Sequence, residues 1–237
     1  REFMAYAENV YREGYQKLGH EAFLDFRSMI SAAPALMKYE AYRSVYAIVS
    51  RYIKDEQLRQ AFSFHTLLVG GNPFKTSAIY ALIHALEKRD GVWFPKGGTH
   101  ALVRGLEKLF TDLGGETILS TAVAELETEG DRISAVVTDD GTRRRFDAVA
   151  SNGDIVHTYD ALLRGHPRGK QAATALKRKS FSPSLFVLYF GVKREYADVP
   201  HHNILFGNRY KELLSEIYGR SELPDDFSLY LHHPTAT

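Results

Sequence analysis

Through its first ninety residues the chain repeats its apolar positions at helical spacing. Phe3, Tyr6, Val10, Tyr11 and Tyr15 keep that period until Gly14 and Gly19 loosen it. Phe23, Phe26 and Ile30 continue as a short helix expected to end before Pro34, because an interior proline loses a hydrogen bond and clashes with the preceding turn. The stripe Tyr39, Tyr42, Tyr46, Val49 and Ile53 predicts a helix over 36–53. Asp55 is placed to cap the next one, through Leu58, Ala61, Phe62 and His65. The stretch Leu67-Leu68-Val69-Gly70-Gly71-Asn72-Pro73-Phe74 breaks the pattern, and a helix resumes over 77–88 with Ile79, Leu82, Ile83 and Leu86.

The run from Gly91 to Leu102 then carries an aromatic–proline arm, Trp93-Phe94-Pro95, into the pair Gly97-Gly98. A helix follows, with Thr99 expected as its N-cap and Gly114 as its stop. Leu102, Leu106, Leu109, Phe110 and Leu113 define one apolar face, expected to be buried. Beyond it the period drops from about 3.6 to 2, the signature of strands. Residues 117–123 and 124–128 read as strand; Ile133, Ala135 and Val137 alternate, Asp140-Gly141 turns, and Phe146, Ala148 and Ala150 alternate on the return. Residues 154–163 predict a short helix and 167–170 a polar linker. Strands are expected at 184–192, 203–206 and 227–232, with a helix at 210–218 between them. The expected class is α+β in three blocks: helices over 1–90, a Gly-Gly helix with a β-meander over 91–152, and a mixed sheet with helices over 153–237.

Composition adds limits. Of 237 residues, 44% are hydrophobic and 12% aromatic, ample for a core. Thirty Lys and Arg balance 29 Asp and Glu, so no global field attracts nucleic acid, and none is expected as a partner. Arg143-Arg144-Arg145 and Lys177-Arg178-Lys179 read as solvated charge. With no cysteine, disulfides and thiolate chemistry are excluded. No apolar run reaches membrane-spanning length. A chain that starts at Arg1 and stops at Thr237 just after a strand reads as a piece of something longer.

Familiar catalytic signatures are missing. There is no Gly-x-Ser-x-Gly elbow, no Walker sequence and no Gly-x-Gly-x-x-Gly cradle in these residues. His201-His202 and His232-His233 are adjacent pairs, whose members point to opposite faces of a strand, and no metal site is expected from them. What stands out is aromatic density near loop breaks. Phe62, Phe64, His65, Phe74, Tyr80, Trp93 and Phe94 could line an apolar cavity for a large hydrocarbon, while any single one of them reads first as ordinary core packing. Tyr39, Tyr42, Tyr46 and Tyr52, interleaved with Arg43, Arg51 and Lys54, suit either a core or a lipid headgroup layer.

Three stretches together carry a resemblance: Arg59-Gln60-Ala61-Phe62-Ser63-Phe64-His65, Leu67 through Phe74, and Gly91 through Thr99. Ser184 through Gly191 and Phe227 through His232 extend it. Over essentially all its length the chain resembles the middle portion of bacterial-type phytoene desaturases, carotenoid-forming flavoenzymes of the amine-oxidase-like group. The resemblance implies an FAD-dependent enzyme that removes hydrogens from phytoene, commonly through to lycopene, in the cytoplasm at the inner membrane surface of a bacterium. It implies a helical part of the substrate and membrane-associated region over 1–90, a return into the FAD domain over 91–152, and a substrate-domain sheet over 153–237. It assigns Val123, whose backbone would meet the adenine end of FAD. It points to Arg27, Phe62, Phe64, His65, Phe74, Trp93 and Phe94 for the polyene, with Trp93 and Phe94 on the cavity side. Without the Gly-rich dinucleotide fold, these residues alone are expected neither to hold FAD nor to turn over. A related amine oxidase, a carotenoid oxidase or isomerase, and a non-enzymatic hydrophobe-binding module remain open.

Overall fold

The computed structural model describes residues 1–20, 22, 25–219, 224 and 226–236, so the predicted helical position Phe23 lies outside the described residues. The elements run, in order, α1 (Glu2–Tyr11), α2 (Phe26–Lys38), α3 (Val45–Tyr52), α4 (Glu56–Ser63), α5 (His65–Leu68) and α6 (Leu82–Asp90). Then come α7 (Thr99–Asp112), β1 (Val123–Glu129), β2 (Arg132–Thr138), β3 (Arg143–Arg145), α8 (Ile155–His157) and α9 (Pro167–Leu176). β4 (His202–Leu205), α10 (Tyr210–Gly219) and β5 (Leu229–His232) close the series. The architecture is mixed α+β, in two compact units: residues 1–94 with 182–237, and residues 95–181. Residues 153–181, which the sequence groups with the last block, pack with the middle one.

Local chemistry sets the helix starts. The carboxylates of Asp25 and Asp55 accept hydrogen bonds from the Ser28 and Leu58 amides, and the Ser44 hydroxyl from Ala47, so each satisfies a donor the helix leaves open. Two expectations change here. Pro34 lies inside α2 rather than beyond its end. Its ring frees the Ile30 carbonyl, but Ile30 is exposed and water can take that bond. The break falls instead at residues 39–44, where Glu40 takes a left-handed φ of 51° with Arg43 and Arg51 as ion partners, so 36–53 is not one helix.

In the first unit, α1 packs on α3 and α6. Phe3, Val45, Ile48, Val49, Ala78 and Ala81 form its core, flanked by Met4, Tyr6, Ile53 and Phe62. A second cluster, Ala7, Tyr11 and Ala85, continues along α1. β4 and β5 pair antiparallel, with His202 opposite His232 and Ile204 opposite Tyr230. The expected strand over 184–192 does not form. Among the described residues no neighbouring strand bonds it, and Phe186 and Tyr189 are more than nine-tenths exposed.

In the second unit, α7 begins after Gly97 and Gly98, at φ 82° and 80°, conformations a side chain resists. Gly98 is the N-cap, and Thr99 is the first helical residue rather than the cap. The helix ends in a Schellman motif: the Gly114 amide donates to Thr111 and the Gly115 amide to Phe110. Its apolar face is in place but uncovered. Leu102, Leu106, Leu109, Phe110 and Leu113 all stay at least half exposed, against the expectation of burial.

The meander is shorter than its alternation suggests. Residues 117–122 are not strand, and β3 stops before Phe146. The turn into β3 is held by Asp140, which accepts from the Thr142 amide and the Thr138 hydroxyl. The arginines of β3 pair with Glu127, Glu116 and Glu129, contacts worth at most about 1 kcal/mol each at a surface. Residues 167–170 are no linker: Pro167 opens α9, a position where its missing N–H costs nothing, and the His166 ring accepts from the Arg168 amide. Gly169 of α9 lies against the Leu163 backbone, and a Cβ there would overlap the Leu163 carbonyl oxygen. Gly169→Ala is therefore expected to cost this unit about 3 kcal/mol by forced displacement of α9. A urea midpoint equal to the parent's would refute this.

Candidate functional site

The sequence-selected aromatic residues fall into separate ring clusters. In the first, Phe62 meets Phe3 edge-on at 5.6 Å and His84 at 5.2 Å. His65, 4% exposed, stands edge-on to His84 at 4.5 Å. The His65 Nε2–H donates to the Tyr80 carbonyl at 3.0 Å, and the His84 Nε2–H to the Phe62 carbonyl at 2.8 Å. These bonds tie α5 and α6 to neighbouring backbone and leave the His65 Nδ1 buried without a hydrogen-bond partner. Burial, with His84 adding to it, pushes the His65 pKa down to about 4. Burial likewise lowers that of His84, so both rings are neutral near pH 7.

A second cluster is a ladder of five rings: Tyr46 to Phe74 (4.4 Å), Phe74 to Tyr210 (5.9 Å), Tyr210 to Phe206 (5.5 Å) and Phe206 to Phe64 (6.0 Å). Each such pair adds about 0.5–1.5 kcal/mol beyond the area it buries. In the third, Phe94 lies over the rings of His201 (4.6 Å) and His232 (5.8 Å). Trp93 stands apart, 86% exposed, its Nε1–H donating to the Asp90 carbonyl. Arg27 is exposed on α2. Thus His65 and Phe62 share one cluster, Phe64 and Phe74 another, and Phe94 the third.

Sequence reasoning overlooks His84, Phe206 and Tyr210, which complete the first two clusters from far along the chain, and reads Tyr46 only as part of the tyrosine stripe. No local pattern encodes such partners. Two shallow depressions, of about 450 Å³ beside Lys211 and Glu216 of α10 and about 410 Å³ beside Arg132, Arg145 and Phe146, are lined by none of the aromatic residues selected from the sequence.

Val123 opens β1 opposite Thr138, and a bulge between Val123 and Glu125 leaves Ala124 out of register with β2. A bulge of this kind frees backbone groups at a strand end. Among the described residues no glycine-rich phosphate cradle accompanies it.

The chain belongs to the family of flavin containing amine oxidoreductases, whose pattern its residues 1–234 match. Among curated relatives it is 58% identical, over all 237 residues, to the lycopene-forming phytoene desaturase of Pseudescherichia vulneris and 56% identical to that of Pantoea ananas. It is 39% identical to the neurosporene-forming phytoene desaturase of Rhodobacter capsulatus. The chain spans about half the length of these relatives, 46–48%.

Proposed function

We propose that these residues are part of an FAD-dependent desaturase that removes hydrogens from phytoene to give conjugated carotenoid, with lycopene as product. The observation carrying this reading is the identity to lycopene-forming relatives, 56–58% along the whole chain, against 39% to a neurosporene-forming one. The chemistry is consistent: no side chain can accept a hydride, so desaturating a hydrocarbon requires a redox group, and bound FAD supplies that acceptor. Val123 is the residue of this chain set toward the adenine end of that cofactor.

The tasks left to the protein are binding, alignment and exclusion of water. The rings of Phe62, Phe64, Phe74, Trp93 and Phe94 are chemically suited to a polyene, since they offer apolar area with few competing charges. His65 is neutral and already bonded to the Tyr80 carbonyl, so its part in this reading is to hold α5 in place. Arg27 shares α2 with exposed Phe26, Met29, Ile30 and Met37, an apolar face edged by a cation that suits a lipid surface. Among the described residues no helix is long and apolar enough to cross a membrane, and the contact proposed is peripheral, on the cytoplasmic face.

Reconstitution of the complete enzyme with FAD and phytoene in liposomes is expected to produce the absorbance of a conjugated polyene. Bleaching of the flavin by amines, with phytoene left intact, would instead favour an amine oxidase. The 237-residue chain by itself is expected to emerge from gel filtration without flavin absorbance. Stoichiometric FAD in that peak would overturn the inference that these residues lack a phosphate cradle.

A further inference from the structure

The third ring cluster has a property the desaturase reading does not use. His202 and His232 face each other across the β4–β5 pair, their rings parallel within 9° and 5.2 Å apart. His201, just before β4, brings its Nε2 to 2.8 Å from the His232 Nε2. One nitrogen from each of the three residues lies within 4.8 Å of the other two. Adjacent histidines do point apart along a strand, but antiparallel pairing supplies the third ring from 30 residues away, which a reading of neighbours along the chain misses. We propose that His201, His202 and His232 form a binding site for a divalent late first-row metal ion, with Zn²⁺ as the reference case, that clips β4 to β5.

The donor set selects the ion class. Three imidazoles with no carboxylate suit Zn²⁺, Ni²⁺, Co²⁺ or Cu²⁺, whereas Mg²⁺ and Ca²⁺ require oxygen ligands. Zinc–imidazole bonds of about 2.0–2.1 Å place tetrahedral nitrogens about 3.3 Å apart. The His201–His232 pair would open by about half an ångström and His202 would close in. The hydrogen shared between their Nε2 atoms moves to a ring Nδ1, and both bind as neutral imidazoles.

The surroundings already orient the ligands. The Tyr230 hydroxyl lies 2.6 Å from the His202 Nδ1 and would accept that N–H in the metal-bound tautomer, leaving Nε2 to the ion. The His201 carbonyl accepts the His233 amide at 2.8 Å, which fixes the His201 backbone to the end of β5. His233 itself is turned away, its Nδ1–H donating to the Val199 carbonyl, and it is not a ligand. Phe94 walls one side with an apolar ring.

The test is titration of the tag-free chain with Co²⁺, followed by its visible d–d bands, with Zn²⁺ then used to displace it. One equivalent per chain is expected. His202→Ala and His232→Ala should each weaken binding by more than about tenfold and Tyr230→Phe by about tenfold, while His100→Ala, exposed in the other unit, leaves it unchanged. Zn²⁺ should raise the thermal midpoint of the parent and of His100→Ala but not that of His232→Ala. If His232→Ala misfolds by circular dichroism, His202→Gln and Tyr230→Phe carry the comparison. No d–d bands, or equal affinity in the parent and the ligand variants, overturns the site.

Discussion

Acidification from pH 7 to pH 4 is expected to remove about 3 kcal/mol from the helical unit through His65 alone. In the folded chain His65 stays neutral down to about pH 4, whereas in the unfolded chain it takes a proton near its ordinary value of 6.5. Between those two pH values the unfolded state binds more protons, so stability falls as pH falls, and below the window the loss is complete. His84 shifts in the same direction and adds to it. Urea unfolding followed by circular dichroism at a series of pH values measures the effect. His65→Gln lacks the titrating ring but keeps a donor for the Tyr80 carbonyl, so its curve should be flatter across that window. Parallel curves for parent and variant would refute the assignment. Carboxylates held below their ordinary pKa by hydrogen bonds, among them Glu40 and Asp140, also lose stabilisation on acidification, but equally in parent and variant, so they cancel from this difference.

Ile48→Ala is expected to cost about 2–5 kcal/mol, the range for truncating a fully buried aliphatic side chain. Ile48 has no exposed surface and sits in the core that Phe3 of α1, Val45 and Val49 of α3, and Ala78 and Ala81 share. Leu58→Ala, on the half-exposed outer face of α4, serves as the comparison and should change stability by less than about 0.5 kcal/mol. Similar losses in the two variants would place the core elsewhere.

The helices that bury a stripe are the ones legible in sequence. Val10 and Tyr11 in α1, Val49 in α3 and Leu82 in α6 each fall at the spacing that turns them inward, and Asp55 marks its helix start by its own side chain. The positions misread are those where backbone, not pattern, decides. Pro34 reads as a terminator because its cost depends on whether the freed carbonyl reaches water, which no spacing reveals. The end of α2 depends on Glu40 adopting a left-handed conformation beside two arginines, one of them eleven residues downstream. Pro167 reads as linker because a proline that opens a helix and one that breaks it look alike without the cap before it. In the candidate site, Phe62, Phe64 and Phe74 stand out because they crowd a glycine-rich break. Their partners Tyr210 and Phe206 lie far along the chain in ordinary sequence. The histidine cluster is hidden for the same reason, since its third member is set by strand register.

The unpaired run Leu185-Phe186-Val187-Leu188-Tyr189-Phe190 has a consequence of another kind. It holds six successive β-favouring or bulky apolar residues without a charge, a proline or a glycine, and it lies open to solvent. Those are the features of a segment able to seed cross-β stacking. Its fate is a race between two encounters, one with a strand of its own polypeptide and one with the same run in another copy. The first is independent of concentration and the second rises with it. Yield of soluble chain should therefore fall as expression is driven harder, and a single lysine in place of Val187 should act as a gatekeeper against that loss.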